Sequence, residues 1–247
     1  LRALETGHME VAFARALKRF NEGLPYAAYC GRLAAELLLS MNRPSDAKLV
    51  FDKLAHGSAS SWARLGAARA QLAAGDTGGA RKAIAAVLAD DPASADAHDL
   101  VGRILVEQCD FDGALREYRL ASNLTPGCLL RAQHAGALAY YQGLGPEALQ
   151  LLEHTLSMGV QSKLFDALSL VLIALLRFDA GNAQGVVAMH KQLQQYRKRF
   201  PESVRLQRLE LAAKVLVDLQ PGSQDDAIAS LRQISAQAGA DDFDLEG

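Results

Sequence analysis

The sequence is short of almost everything that would mark an enzyme, a secreted miniprotein or a membrane protein. It has one tryptophan, and aromatic residues make up only 6% of the chain. Its three cysteines, Cys30, Cys109 and Cys128, are odd in number and too few for a disulfide framework, which fits a reducing compartment. Neither sign of charge dominates: 26 Lys and Arg face 28 Asp and Glu, for a formal net charge of −2. That balance argues against a general nucleic-acid binder, whose surface is strongly basic. The longest apolar stretch, Leu164–Phe178, contains Asp166 and Arg177 and falls short of the roughly 20 residues that span a bilayer. No charged segment followed by an apolar one opens the chain, so no signal peptide is visible. A cytoplasmic protein without membrane or nucleic-acid partners is expected. The chain starts at Leu1 and its first methionine is Met9, which suggests a processed or excised piece with something missing upstream.

Catalytic signatures are lacking too. The sequence contains no G-x-x-x-x-G-K-[ST], H-E-x-x-H, G-x-S-x-G or paired C-x-x-C, so no phosphate loop, metalloprotease helix, nucleophile elbow or zinc ribbon is indicated. The six histidines are scattered, one per predicted helix or turn. His98 and His134 fall at near-equivalent positions of adjacent units, but a zinc site needs a convergent tetrahedral shell. They read as polar surface or groove residues. The cysteines read as structural. No enzyme activity, cofactor or metal is expected.

What the chain does have is alanine and leucine, roughly a third of it. Both lead the helix-propensity ranking and neither favours strands, so the composition is all-α. One pattern recurs along the sequence: a turn residue, then a small residue five positions later. It occurs at Gly7 and Ala12, Asn42 and Ala47, Gly75 and Ala80, Cys109 and Ala114, Gly143 and Ala148, Gly181 and Val186, and Gly222 and Ala227. The spacing is that of a helix–turn–helix array. Gly75 can take the left-handed conformation that ends a helix, and Asp76 and Asp110 can cap the helices that follow. Ala80, Ala114 and Ala148 are small enough to let two helices cross closely. Ala68, Gly102 and Gly136 form one equivalent column, and Ile84, Tyr118 and Leu152 another. Pro92 and Pro126 stop two helices, because proline lacks the N–H and clashes with the preceding turn.

These small, large and proline positions resemble the tetratricopeptide repeat. The resemblance covers nearly the whole chain and implies an all-α helix–turn–helix solenoid, a right-handed superhelix of about 6–7 repeats and about 13 helices. A single solenoid is expected over residues 1–239. Its first repeat is truncated, pairs follow at about 27–56, 60–90, 94–124 and 128–158, and lengthened C-terminal repeats over 162–238 form a cap or interface. An acidic tail, 240–247, ends the chain. A narrower resemblance lies at the centre. Trp62-Ala63-Arg64-Leu65-Gly66, Ala97-His98-Asp99-Leu100, and Thr125-Pro126 followed by Leu130-Arg131 resemble the repeat region of bacterial two-component response regulators that carry a receiver domain. No receiver is present in this chain.

The family analogy implies a concave groove lined by the first helix of each pair. It assigns Tyr29, Arg32, Trp62, Arg69, Asp99, Arg103, Gln133, Tyr140 and Tyr141 to partner contact. Arginine recognises carboxylates or phosphates through a planar, multi-donor fork, so an acidic peptide would fit Arg32, Arg69 and Arg103, unless neighbouring carboxylates neutralise them. Further along, Leu168, Val171, Leu175 and Phe178 would place apolar residues where the groove should be polar. They are expected to be covered by the final helices, by a second copy of the chain in a homodimer through 164–178, or by a partner. The leading expectation is a non-enzymatic scaffold for a protein or peptide. The alternative is a ligand- or signal-peptide-sensing regulatory domain with a compact pocket around Tyr140, Tyr141, Trp62 and Arg103.

Overall fold

The computed structural model describes residues 9–57, 60–157 and 163–219, with only the backbone described at 57 and 163–166. The repeat positions at Gly7 and Gly222, the last part of the sixth pair and the acidic tail lie outside the described residues. Twelve helices and no strand occur among the described residues. The chain divides into two compact units, Leu1–Leu124 and Thr125–Gly247. The first holds α1 (Met9–Asn21), α2 (Ala27–Ser40), α3 (Pro44–Gly57), α4 (Ser61–Ala73), α5 (Thr77–Asp90), α6 (Ala95–Glu107) and α7 (Phe111–Leu124). The second holds α8 (Leu129–Tyr141), α9 (Gly145–Ser157), α10 (Lys163–Asp179), α11 (Ala183–Arg199) and α12 (Val204–Asp218).

The hairpins are made by one turn, repeated. Asn42, Gly75, Cys109, Gly143 and Gly181 all have positive φ, between 55° and 81°. After each, the next residue donates its N–H to the carbonyl five positions back: Arg43 to Leu38, Asp76 to Gln71, Asp110 to Leu105, Leu144 to Ala139 and Asn182 to Arg177. This left-handed closure satisfies carbonyls that a helix end leaves orphaned. Three of the turns then cap the next helix. The side chains of Asp76, Asp110 and Asn182 accept from the N–H of Gly79, Gly113 and Gly185 at 2.8, 2.9 and 2.9 Å. The Gly79 N–H, followed by the Gln71 side chain, holds the Asp76 carboxyl below its ordinary range.

Cys109 is exposed and is the one turn residue of the five that is neither glycine nor asparagine. A side chain with a Cβ loses about 1–2 kcal/mol in the left-handed region. Glycine recovers that strain but frees the unfolded chain by about 0.4–1 kcal/mol. Cys109→Gly is therefore expected to stabilise the protein by about 0.5–1 kcal/mol, seen as a higher guanidinium midpoint. An unchanged midpoint would mean that the strain at this turn is negligible.

Between hairpin partners, the two sequence columns meet. A Cβ on Gly102 would lie 2.6 Å from the Tyr118 ring, and one on Gly136 2.8 Å from Leu152. Ala80, Ala114 and Ala148 are fully buried at the crossings. Pro92 and Pro126 stand two residues beyond the ends of α5 and α7. In the first unit, consecutive helices pack in sequence, and α2 and α6 each also touch α4. In the second, α10 lies against α8, α9, α11 and α12. Helices α10 and α11 have 17 residues each, against 13 for α8 and α9.

Candidate functional site

Helical spacing puts Tyr29, Arg32 and Glu36 on one face of α2. The neighbouring helix α4 brings Trp62 and Arg69 beside them. The Arg32 guanidinium lies over the Trp62 ring in a cation–π contact, its carbon 5.4 Å from the ring centroid. Arg69 Nη2 forms an ion pair with Glu36 Oε2 across the two helices. Tyr29 is 70% exposed, and Tyr26, three residues earlier, is exposed as well. Tyr26 escaped the sequence reading, because its position just before α2, with a φ of 66°, follows from the local turn rather than from the repeat.

On α6, Asp99 and Arg103 are half-buried, and both are already engaged within the chain. The Tyr118 phenol lies among them. Burial pushes its pKa up, Asp99 and Glu107 push in the same direction, and Arg103 opposes them. The arginine set anticipated from sequence therefore divides. Arg69 is neutralised by Glu36, Arg103 is engaged, and Arg32 holds an aromatic face.

In the second unit, Gln133 departs from its assigned role. It is 2% exposed, and its Nε2 donates to Ser169 Oγ at 2.8 Å. Thr155 Oγ1 lies 2.8 Å from the same oxygen and donates to the Leu152 carbonyl at 2.6 Å. Gln133 is thus part of a buried polar network joining α8, α9 and α10, and no partner can reach it. Tyr140 donates its hydroxyl to Asp179 Oδ2 at 3.2 Å, and burial, then Asp179, raises its pKa. Tyr141, with its ring centroid 5.8 Å from that of Tyr140, is 78% exposed. Val171 is buried, and Leu168, Leu175 and Phe178 are half-buried, with α12 packed on α10.

His98 is a structural residue. It was expected on a surface or groove. It is instead buried, held between Glu117 Oε2 at 2.7 Å and the Pro92 carbonyl at 3.0 Å, because its helix position faces α7 and the loop before α6. Among the described residues, no cluster of three or more His, Cys, Asp or Glu could hold a metal, and no helix is long and apolar enough to cross a membrane.

Residues 38–104 match the model of a tetratricopeptide-repeat family, and the same hairpin turn recurs after them at Cys109, Gly143 and Gly181. No curated protein matches the chain in sequence. Among solved structures, the chain is similar to the APC/C hetero-tetramer Cut9–Hcn1, at TM-score 0.71 and 14% identity over 96% of this chain and 45% of that one. It thus spans under half the length of that neighbour. It is also similar to the thermophilic tetratricopeptide-repeat protein TTC0263 of Thermus thermophilus, at TM-score 0.59 and 16% identity over 76% and 100% of the two chains. A tetratricopeptide-repeat protein of Parabacteroides merdae gives TM-score 0.58 and 12% identity over 97% and 91%. At these identities the likeness establishes the fold. The tetratricopeptide-repeat match lies in residues 38–104, and the all-α helix–turn–helix architecture is shared with the solved tetratricopeptide-repeat proteins.

Proposed function

We propose that the protein is a non-enzymatic scaffold that binds a protein or peptide segment along the face formed by Tyr29, Arg32 and Trp62. The observation that carries this reading is the exposure of Tyr29 next to the Arg32–Trp62 cation–π pair. Aromatic residues and arginine are enriched at interfaces and dominate their energetics. Here they stand on two regular helices locked side by side by the Arg69–Glu36 pair, so little ordering entropy remains to be lost on binding.

A finer form of the reading makes the array the output region of a receiver-linked bacterial response regulator. The resemblance of the Trp62–Gly66, Ala97–Leu100 and Thr125–Arg131 segments supports it. Several of these residues have internal partners: Arg64 with Asp90, His98 with Glu117, and Arg131 with Thr125. The resemblance thus bears on the frame of the repeats, and contact with a partner falls to Tyr29, Arg32 and Trp62.

A photo-crosslinking phenylalanine analogue at Tyr29 tests the proposal, with the same analogue at the exposed Lys53 of α3 as control. In source cells, position 29 is expected to give a discrete protein adduct that position 53 does not. Equal labelling from both positions, or none from 29, would sink the reading.

A further inference from the structure

Resting on that reading, we infer that Arg32 receives an aspartate or glutamate side chain of the bound segment, and that Trp62 holds the guanidinium ready for it. Five arginines are paired with carboxylates within the chain. Arg43 pairs with Asp46, Arg64 with Asp90, Arg69 with Glu36, Arg177 with Glu153 and Arg197 with Glu210. Arg32 is exposed and lies over an indole instead. Glu36, one turn along the same helix, is occupied by Arg69.

A cation–π contact with an indole face does not use up the guanidinium's hydrogen-bond donors, of which it has five. An arginine held over a ring in this way keeps N–H donors for a carboxylate at the surface. It has also lost much of the rotamer freedom that a solvated arginine would give up on binding. A carboxylate matches the planar fork with two parallel hydrogen bonds. Tyr29, one turn earlier on the same face, offers apolar surface to a neighbouring residue of the segment.

Random dodecapeptides displayed on phage and selected on the whole chain provide the probe. Fluorescein-labelled copies of the selected peptides report binding to each variant through fluorescence anisotropy. Enrichment of Asp or Glu is expected, with affinity reduced about tenfold or more by Arg32→Gln and by exchanging the peptide acids for amides, as for a lost charge-assisted pair. Arg32→Lys keeps the charge but not the planar fork, and is expected to recover little of the loss. Unchanged circular dichroism of these surface variants confirms that they fold. Peptides that depend on Tyr29 and Trp62 but carry no acid, or that bind Arg32→Gln equally well, would overturn this inference and leave the scaffold reading standing. Selected peptides indifferent to Tyr29→Ala, Trp62→Ala and Arg32→Gln alike would overturn both.

Discussion

Phe51→Ala is expected to lower the stability of the first unit by about 3–5 kcal/mol, the range for truncating a fully buried aromatic. Phe51 is 1% exposed and sits in a cluster with Leu38, Val50, Leu54, Ala63 and Ala67, where α3 meets its neighbours. The ring also rests directly against Gly66 of α4, where a Cβ would overlap it. Gly66→Ala should therefore cost about 1–3 kcal/mol through overpacking, although alanine is favoured in a helix by about 1 kcal/mol. In the Phe51→Ala background the overlap is gone and the propensity gain remains, so the same substitution should become mildly stabilising. Urea unfolding of the four proteins should give a coupling energy of about 2 kcal/mol or more, within the range for residues in contact. Additive effects would mean that the ring does not rest on Gly66.

That pair also shows what a repeat pattern carries. The periodic turn residues were legible because one backbone conformation is demanded at each hairpin: Asn42, Gly75, Cys109, Gly143 and Gly181 all take it. Gly102 with Tyr118 and Gly136 with Leu152 were legible as columns, since helices crossing at one depth need a small residue opposite a large one. Phe51 against Gly66 was not. It joins the second helix of one pair to the first helix of the next, and glycine does not recur in that column.

The candidate site was legible as a face but not as a set of contacts. Repeat numbering placed Gln133 and Arg32 at the same position of their units. Yet Gln133 is closed off by Ser169, 36 residues away, whereas Arg32 is open. The difference arises because α10 carries an apolar face where other first helices carry charge, so it packs down on α8. The pairing of Arg69 with Glu36, 33 residues apart, was likewise hidden. Sequence shows that both charges occupy the face, and only the relative position of two helices shows that they meet. His98 was misread for a similar reason, since its partner Glu117 lies on the second helix of its own pair.

Glu210 is the other position where a single change should have a large effect. It is a carboxylate of α12 with 4% of its surface exposed. Its two oxygens are bound by different residues of α11, His190 Nε2 at 2.6 Å and Arg197 Nη1 at 2.8 Å. The basic side chain of Arg197 thus has an internal counter-charge. Removing one partner of a buried pair costs about 3–5 kcal/mol, because the survivors lose compensation they cannot find elsewhere. Arg197 is about half exposed and can turn to water, while the His190 side chain is 12% exposed. Glu210→Ala is therefore expected near the lower end, about 3 kcal/mol. Replacing a whole buried polar set with apolar residues is often neutral, so Glu210→Leu with His190→Leu should recover most of the loss. Denaturant unfolding of the parent and the two variants separates these outcomes. A Glu210→Ala protein within about 0.5 kcal/mol of the parent, the range of an ordinary surface substitution, would mean that the pair contributes nothing. Because α12 also packs on α10, losing Glu210 should speed amide exchange around Val171 as well as at the α11–α12 junction, coupling this one carboxylate to the cover over the apolar helix.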